Sequence, residues 1–374
     1  MNAAAQPTAV LLVAPVPPPR GGIGTWTESV LALASRCEGI SIRTVSTSPR
    51  YRPVDESRRW PRLLHGAGQA CRDLGGVLFQ ALRRRPDVLH LATSAGLALA
   101  RDACILTVAR LLRIRAVYHL HIGWLTATAE RGGIERAGLW LTLRLSRTVV
   151  VLDAASSEAA RRIHPAADVV LLPNFIDASE WRALRSPAPP PRRPRVLFVG
   201  WVLEAKGVRE LVTACASLAA RRDFELLLAG PGDPSTVAEL QALAGPKAEW
   251  FRPIGEVPRG DVKPLMESAD LLVLPSHYEG CPYVILEAMS LGLAIVATSV
   301  GAVPFMLEHD GHAAGILVPP RDTGELERAI DRLLTDPGLR AELGERARRA
   351  VEHRFTIDAV RSRYLELWTG QTSA

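Results

Sequence analysis

The chain of 374 residues is poor in paired cysteines, lysine, aromatics and long apolar runs. Its five cysteines (Cys37, Cys71, Cys104, Cys215 and Cys281) are odd in number and scattered, with no Cys-x-x-Cys pair. That excludes a disulfide framework and a thiolate zinc site, and it fits a reducing cytosol. No stretch approaches the roughly 20 apolar residues that span a bilayer. The N-terminus lacks the basic region of a secretory signal, and the run Ala9–Ala14 leads into prolines as a first buried strand would. Any membrane contact is therefore expected to be peripheral, from a cytoplasmic protein. Aromatics make up 5% of the chain, too few for the interleaved stacking platforms of a single-strand nucleic-acid binder. Only Lys206, Lys247 and Lys263 among 45 cations are lysines. Single arginines thus carry little information, and Lys206 stands out.

What is present is an ordinary globular mixture, 48% hydrophobic and 22% charged, on a length that exceeds one core. Charge divides unevenly: residues 1–190 hold 24 Arg against 14 Asp and Glu, net +10, and residues 191–374 hold 21 Lys and Arg against 25, net −4. The segment Ser186–Pro194 is too rich in proline for a helix interior or a central strand. Before it, the apolar runs Val10–Val13, Val88–Leu91, Ala116–Leu120, Val149–Leu152 and Val169–Leu172 alternate with stretches at helical spacing. After it the pattern restarts with Arg195–Val199, Glu225–Leu228, Leu271–Leu274, Ala294–Ala297 and Gly315–Val318. Short continuous apolar strands between helices predict parallel sheets covered on both faces. The reading is α/β: two Rossmann-like doubly wound domains, residues 1–186 and 196–355, joined by a linker at 187–195. A last helix over 356–374 is expected either to return to the first domain or to cap its own. Each sheet would offer a crevice beyond the carboxyl ends of its strands, and two facing halves would make an interdomain cleft.

The motifs fall at those ends. After the first strand come Gly21, Gly22 and Gly24, then Thr25-Trp26-Thr27-Glu28, which reads as a capping box opening a helix. Such a glycine turn can cradle a phosphate on free N–H groups, or can simply be a tight turn. It does not complete a dinucleotide fingerprint, because Thr27 stands at the third glycine and Ile40–Val45 carries no acidic residue. In the second half Val199-Gly200-Trp201 leads to Lys206-Gly207 just ahead of a helix expected from Val208, where an ammonium and a helix start could share a diphosphate. The segment Pro275–Met289 places Glu279 in a loop after a strand and Glu287 on the following helix. These carboxylates suit sugar hydroxyls and a ribose diol. His119 and His121 share one face of the strand Val117–His121. Two histidines so spaced could ligate a metal or be ordinary buried rings, and no third ligand cluster is evident.

Taken together, the glycine turn at 21–24, Leu172–Asp177, the Phe-Val-Gly…Lys-Gly run and the Pro-Ser…Glu-Gly-x-Pro…Glu-Ala-Met run resemble glycosyltransferase family 4, the retaining nucleotide-sugar enzymes of GT-B fold. The resemblance spans nearly the whole chain, with Glu279 and Glu287 matching the Glu-x7-Glu element. It implies acceptor binding by the N-terminal domain and donor binding by the C-terminal one. Residue by residue, it implies that Gly21 and Gly22 approach the donor phosphate, Lys206 neutralises the diphosphate, and Glu279 meets the donor sugar. Gly280, Cys281, Pro282, Tyr283 and Val284 form the rest of the donor loop, and Glu287 holds the ribose. A histidine near the donor sugar aligns with His121, less well with His119. The family usually carries an arginine where this chain has Trp201, so a diphosphate cation is missing or supplied elsewhere.

The expected activity is hexosyl transfer with retention from a nucleoside-diphosphate sugar to a glycan or lipid-linked acceptor, in cell-surface polysaccharide or glycolipid synthesis. The alternative is a nucleotide-sugar epimerase or phosphorylase of the same fold. No cofactor is expected beyond the sugar-nucleotide co-substrate. Asp-x-Asp, the usual carboxylate pair that holds a divalent cation on the diphosphate in metal-dependent sugar transferases, occurs nowhere in the chain, so no metal site is assigned and turnover without metal is expected. Residues 56–64 with Arg83-Arg84-Arg85 could meet anionic lipid, or could be a solvated arginine-rich face. No groove-reading motif accompanies the basic half, so nucleic acid is not an expected partner.

Overall fold

The computed structural model describes residues 6–18, 21–48, 59–181, 193–245 and 248–371, with the side chains of 59–65 excepted. Two compact units result, one of residues 1–175 with 360–374 and one of residues 176–359.

The N-terminal unit runs β1 Thr8–Ala14, α1 Gly22–Ser35, β2 Ile40–Ser46, α2 Arg59–Arg83, β3 Val88–Thr93, α3 Leu99–Leu111, β4 Arg115–Leu120, α4 Leu125–Arg131, α5 Gly133–Leu145, β5 Thr148–Val151, α6 Ala154–Ile163 and β6 Val169–Leu171. Its sheet has the order β2-β1-β3-β4-β5-β6, parallel throughout. Every residue of β3 is buried, as a central strand covered on both faces requires. The order reverses between β1 and β3, so the crevice of this sheet opens beyond Ala14 and Thr93.

The C-terminal unit runs α7 Ala178–Trp181, β7 Arg195–Val199, α8 Val208–Ala219, β8 Glu225–Ala229, α9 Pro234–Ala244, β9 Phe251–Gly255, α10 Arg259–Glu267, β10 Leu271–Leu274, α11 Tyr283–Ser290, β11 Ala294–Thr298, α12 Val303–Met306, a hairpin of β12 Glu308–His309 with β13 His312–Ala313, β14 Ile316–Val318, α13 Thr323–Thr335 and α14 Pro337–Arg354. A last helix, α15, covers Ile357–Thr369. The sheet order β14-β11-β10-β7-β8-β9 is the doubly wound arrangement, with its switch point between β7 and β10. α8 shows how the sequence selects its helices: Leu211, Cys215 and Leu218 recur at helical spacing and are fully buried.

Two boundaries differ from the sequence reading. The units divide after Phe175, upstream of the proline-rich segment, whose residues 186–192 lie outside the described residues. The reason is local pairing: the Ile176 N–H donates to the Phe355 carbonyl (2.8 Å), and Lys263 Nζ donates to the Glu180 carbonyl (3.1 Å). At the other end the return to the N-terminal unit begins at Val360. There Tyr364 and Trp368 are fully buried, the Trp26 indole donates to the Tyr364 hydroxyl (2.9 Å), and the Trp368 indole donates to His90 Nδ1 (3.0 Å).

Candidate functional site

At the switch point of the C-terminal unit, β7 and β10 deliver two loops side by side. The chain leaves β7 through Gly200, whose backbone is crossed by Gly230 so closely that a Cβ on Gly230 would lie 1.8 Å from the Gly200 carbonyl oxygen. Val202 is pinned by its N–H to the Pro231 carbonyl (2.8 Å), and Trp201 is 43% exposed. A single 3₁₀ turn, Glu204–Lys206, then meets α8 at Gly207, which is left-handed (φ 66°). A Cβ there would sit 2.0 Å from the Pro275 carbonyl oxygen. Gly207→Ala should therefore cost a few kcal/mol, from both the positive φ and the backbone clash. Thermal unfolding with a Tm within a degree of the parent would contradict this.

The loop after β10 is held from both sides. The His277 N–H donates to the Ala205 carbonyl (2.9 Å), and the His277 ring meets Glu210 Oε1 on α8 at 2.8 Å. On the other flank the Ala302 N–H donates to the Gly280 carbonyl (2.7 Å), and a Cβ on Gly301 would lie 2.0 Å from the Glu279 carbonyl oxygen. Inside this clamp Glu279 Oε1 accepts from both Lys206 Nζ (2.7 Å) and Ser276 Oγ (2.7 Å). The carboxylate side chain is 10% exposed and the ammonium 27%. A largely desolvated, hydrogen-bonded ion pair thus stands at the mouth of the crevice, with its cation still reachable from solvent.

α11 starts at Tyr283 with Pro282 before it. Its first N–H groups have no partner within the helix and carry the positive end of its dipole. Cys281 and Pro282 are buried, the Cys281 thiol lying 3.7 Å from the Met306 sulfur. What Cys281 can offer a ligand is accordingly its backbone. One turn along, Glu287 is partly buried. Desolvation pushes its carboxyl up to about 7, against the pull of Arg259 on α10. Because the folded-state value is raised, ionising Glu287 costs stability as pH rises through about 7, and that cost is absent below the unfolded value. Glu287→Gln should raise the Tm by a few degrees at pH 8.5 and leave it unchanged at pH 4. A Tm gain of equal size at both pH values would refute this cause.

In the N-terminal unit α1 begins at Gly22 with Gly21 at the cap, three residues ahead of the capping box read from Thr25. Thr25 is already helical, its N–H donating to the Gly21 carbonyl (3.0 Å). The glycines enter the helix without needing a side-chain cap. Both are exposed, and a Cβ at either would meet nothing within 4 Å, so the space over this helix start is open. His121 lies just past the end of β4 with its N–H donating to the Thr93 carbonyl (2.9 Å). Its ring stacks on His119 (4.2 Å between centroids) and meets the edge of Trp26 (4.8 Å). His119 in turn approaches His90, with Nδ1 and Nε2 3.3 Å apart. Burial holds all three imidazoles neutral, lowering His90 and His121 to about 3 and His119 well below the ordinary value. The Nε2 atoms of His119 and His121 are enclosed without a partner among the described residues. His119 is wholly buried, whereas His121 is partly exposed at the strand end. Among the described residues no group of three or more His, Cys, Asp or Glu side chains is arranged to hold a metal ion. Likewise no described helix is long and apolar enough to cross a membrane.

A family model for group 1 glycosyl transferases matches residues 193–336, and one for glycosyltransferase family 4 matches residues 20–180. Each half of the chain is thus similar to a glycosyltransferase family. The chain is 35% identical to the alpha-D-kanosaminyltransferase of Streptomyces kanamyceticus over 170 residues, 45% of this chain and 43% of that one. It spans 42 to 65% of the length of the curated relatives it matches first. Among solved structures, sucrose-phosphate synthase from Thermosynechococcus elongatus superposes with a TM-score of 0.77 at 21% identity, covering 97% of this chain and 98% of that one. Anabaena HepE, solved with UDP and glucose, superposes with a TM-score of 0.72 at 20% identity over 97% and 99%. The fold is GT-B.

Of the residues read from the sequence, Lys206, Glu279, Gly280–Val284, Glu287 and Trp201 belong to the C-terminal unit, and Gly21, Gly22 and His121 to the N-terminal one. Sequence reasoning missed Ser276, His277 with Glu210, and the His90, Trp26, Tyr364 and Trp368 cluster. Ser276 and His277 stood in the quoted motif, and only their partners were invisible. His90 could have been found as a polar residue inside the apolar run Val88–Leu91. Of the basic segment read as a lipid contact, residues 56–58 and the side chains of 59–64 lie outside the described residues, while Arg83, Arg84 and Arg85 are exposed.

Proposed function

We propose that the chain transfers a hexosyl group, with retention, from a nucleoside-diphosphate sugar to a glycan or lipid-linked acceptor. The Lys206–Glu279–Ser276 cluster at the switch point carries the reading, because it sets a reachable ammonium and a fixed carboxylate where a doubly wound sheet binds its ligand. Anabaena HepE, solved with UDP and glucose, and the kanosaminyltransferase likeness support a sugar nucleotide as donor. The diphosphate would lie against Lys206 and the start of α11, the ribose diol against Glu287, and the sugar beside Glu279. The acceptor would bind to the N-terminal unit.

In the reaction the acceptor hydroxyl oxygen bonds to the anomeric carbon on the face the diphosphate leaves. As the bond from that carbon to the phosphate oxygen breaks, the departing oxygen takes the hydroxyl proton. Charge builds on the diphosphate, and Lys206 with the helix dipole stabilises it without reorganising. Neutral His121 can accept a hydrogen bond from a sugar hydroxyl. These protein groups meet the charge unaided, so activity should persist in chelator; loss restored by magnesium or manganese would refute that part. The peripheral cytoplasmic setting and the cell-surface polysaccharide or glycolipid product belong to the same proposal. Incubation with a panel of nucleotide sugars and candidate acceptors tests the whole. Nucleotide release coupled to a new glycoside is expected, whereas donor isomerisation or phosphate-dependent cleavage would indicate the epimerase or phosphorylase chemistry instead.

A further inference from the structure

A cavity of about 470 Å³ lies in the N-terminal unit at the amino ends of β4, β5 and β6, lined by Arg110, Arg113, Arg115, Arg144, Arg147 and His164 among others. It is at the opposite end of β4 from His121. The six residues of that strand separate the two by roughly 20 Å at about 3.3 Å per residue. Ligands of open parallel sheets bind beyond the carboxyl ends, so this is not the donor or acceptor crevice.

Five arginines line it, from the end of α3, the loop into β4 and its first residue, and the end of α5 with the loop into β5. Among the described lining residues the one carboxylate is Asp168, whose Oδ2 accepts from the Thr148 hydroxyl (2.9 Å). None of the five arginines forms an ion pair among the described residues, although ion pairs are common elsewhere on this arginine-rich chain. Three of them make other contacts. Arg115 donates to the Trp368 carbonyl on α15. The Arg113 carbonyl accepts from Arg85 (2.7 Å), and Arg113 itself holds a left-handed backbone (φ 53°). Arg144 sits over the Trp140 ring, 5.7 Å from its centroid. Burial and the neighbouring Arg147 both lower the Arg115 ionisation, against the pull of Asp87. A concave site lined by five like charges and a single carboxylate suits a multiply charged anion, and guanidinium forks match phosphoryl oxygens two at a time.

The geometry points to a second binding site at the amino ends of β4–β6, built for a ligand bearing at least two phosphoryl groups and separate from the sugar-nucleotide crevice. The ligand carries those groups either free in solution or on a lipid headgroup. The test uses the full chain and two probes at low salt. Inorganic tripolyphosphate is titrated calorimetrically, and vesicles of cardiolipin, a lipid with two phosphodiester groups, and phosphatidylcholine in equal parts are used in sedimentation. Three proteins are compared: the parent, Lys206→Ala, and Arg110→Gln/Arg147→Gln. The arginine-dependent binding of tripolyphosphate should be the same in the parent and in Lys206→Ala, and its affinity should fall about tenfold or more in the double arginine variant. Arginine-dependent binding to the vesicles alone would assign the phosphates to lipid. Unchanged affinity of the arginine variant for both probes, or no binding of either probe to the parent, would overturn the site. Should the double variant unfold, Arg144→Gln, at an exposed position, provides the same comparison, with a loss of several-fold expected and none overturning it.

Discussion

Lys206→Ala should lower kcat on the sugar-nucleotide donor by about 100-fold or more while the chain stays folded. Removing one preorganised group aimed at developing charge typically costs that much. Lys206 is one of three lysines in the chain, and its ammonium is fixed 2.7 Å from Glu279 by a turn that Gly207 presses against Pro275. Its loss also leaves the 10%-exposed carboxylate of Glu279 with the Ser276 hydroxyl in place of a cation, so some effect reaches the sugar contact as well. Two consequences distinguish this account from a general loss of structure. Lys206→Arg should restore little, because a planar guanidinium cannot replace a compact ammonium inside that clamp. Combining Lys206→Ala with Glu279→Ala should cost far less than the sum of the two, since both remove one pair. Turnover within threefold of the parent in Lys206→Ala would remove the residue from the mechanism.

The second large effect is acid sensitivity confined to the N-terminal unit. His90 and His119 are wholly buried and held neutral. In the unfolded chain they take up protons below about pH 6.5, which the folded chain refuses. Stability therefore falls as pH drops from about 6.5 toward 3, at about 1.4 kcal/mol per ring per unit. By pH 5 His90, lowered to about 3, by itself costs about 2 kcal/mol, a sizeable share of the roughly 5–15 kcal/mol that a domain commands. His121 adds less, being partly exposed. The C-terminal unit responds in the opposite sense, since Glu287 favours the folded state as pH falls through about 7. Hydrogen exchange resolves the two units: protection of amides in Val88–Thr93 and Arg115–Leu120 should drop steeply between pH 7 and pH 5, after correction for intrinsic rates. Protection in Leu271–Leu274 should hold. Equal loss in both units, or none, would mean the histidine cluster is not the cause.

How far the sequence reveals this molecule depends on where each signal is written. Central strands such as Leu271–Leu274 and Ala294–Thr298 are continuous apolar runs and are legible because both their faces are buried. The edge strand Phe251–Gly255 is interrupted by Arg252 and Pro253 and ends in glycine, and it is not legible. Glu279, Lys206 and Glu287 could be read from their motifs. What no motif records is that Glu279 and Lys206 satisfy each other, or that His277 fastens the two loops together through Glu210, 67 positions away. The capping box misled because Gly21 and Gly22 let the helix start earlier than the strongest local capping signal. The histidine cluster needed tertiary structure altogether, since its members come from β3, β4, α1 and α15.

The most direct test of the central claim is a crystal of the protein with bound uridine or guanosine diphosphate. The account predicts the diphosphate within hydrogen-bonding reach of Lys206 Nζ and the ribose hydroxyls on Glu287. A nucleotide resolved elsewhere, with Lys206 and Glu287 untouched, would contradict it.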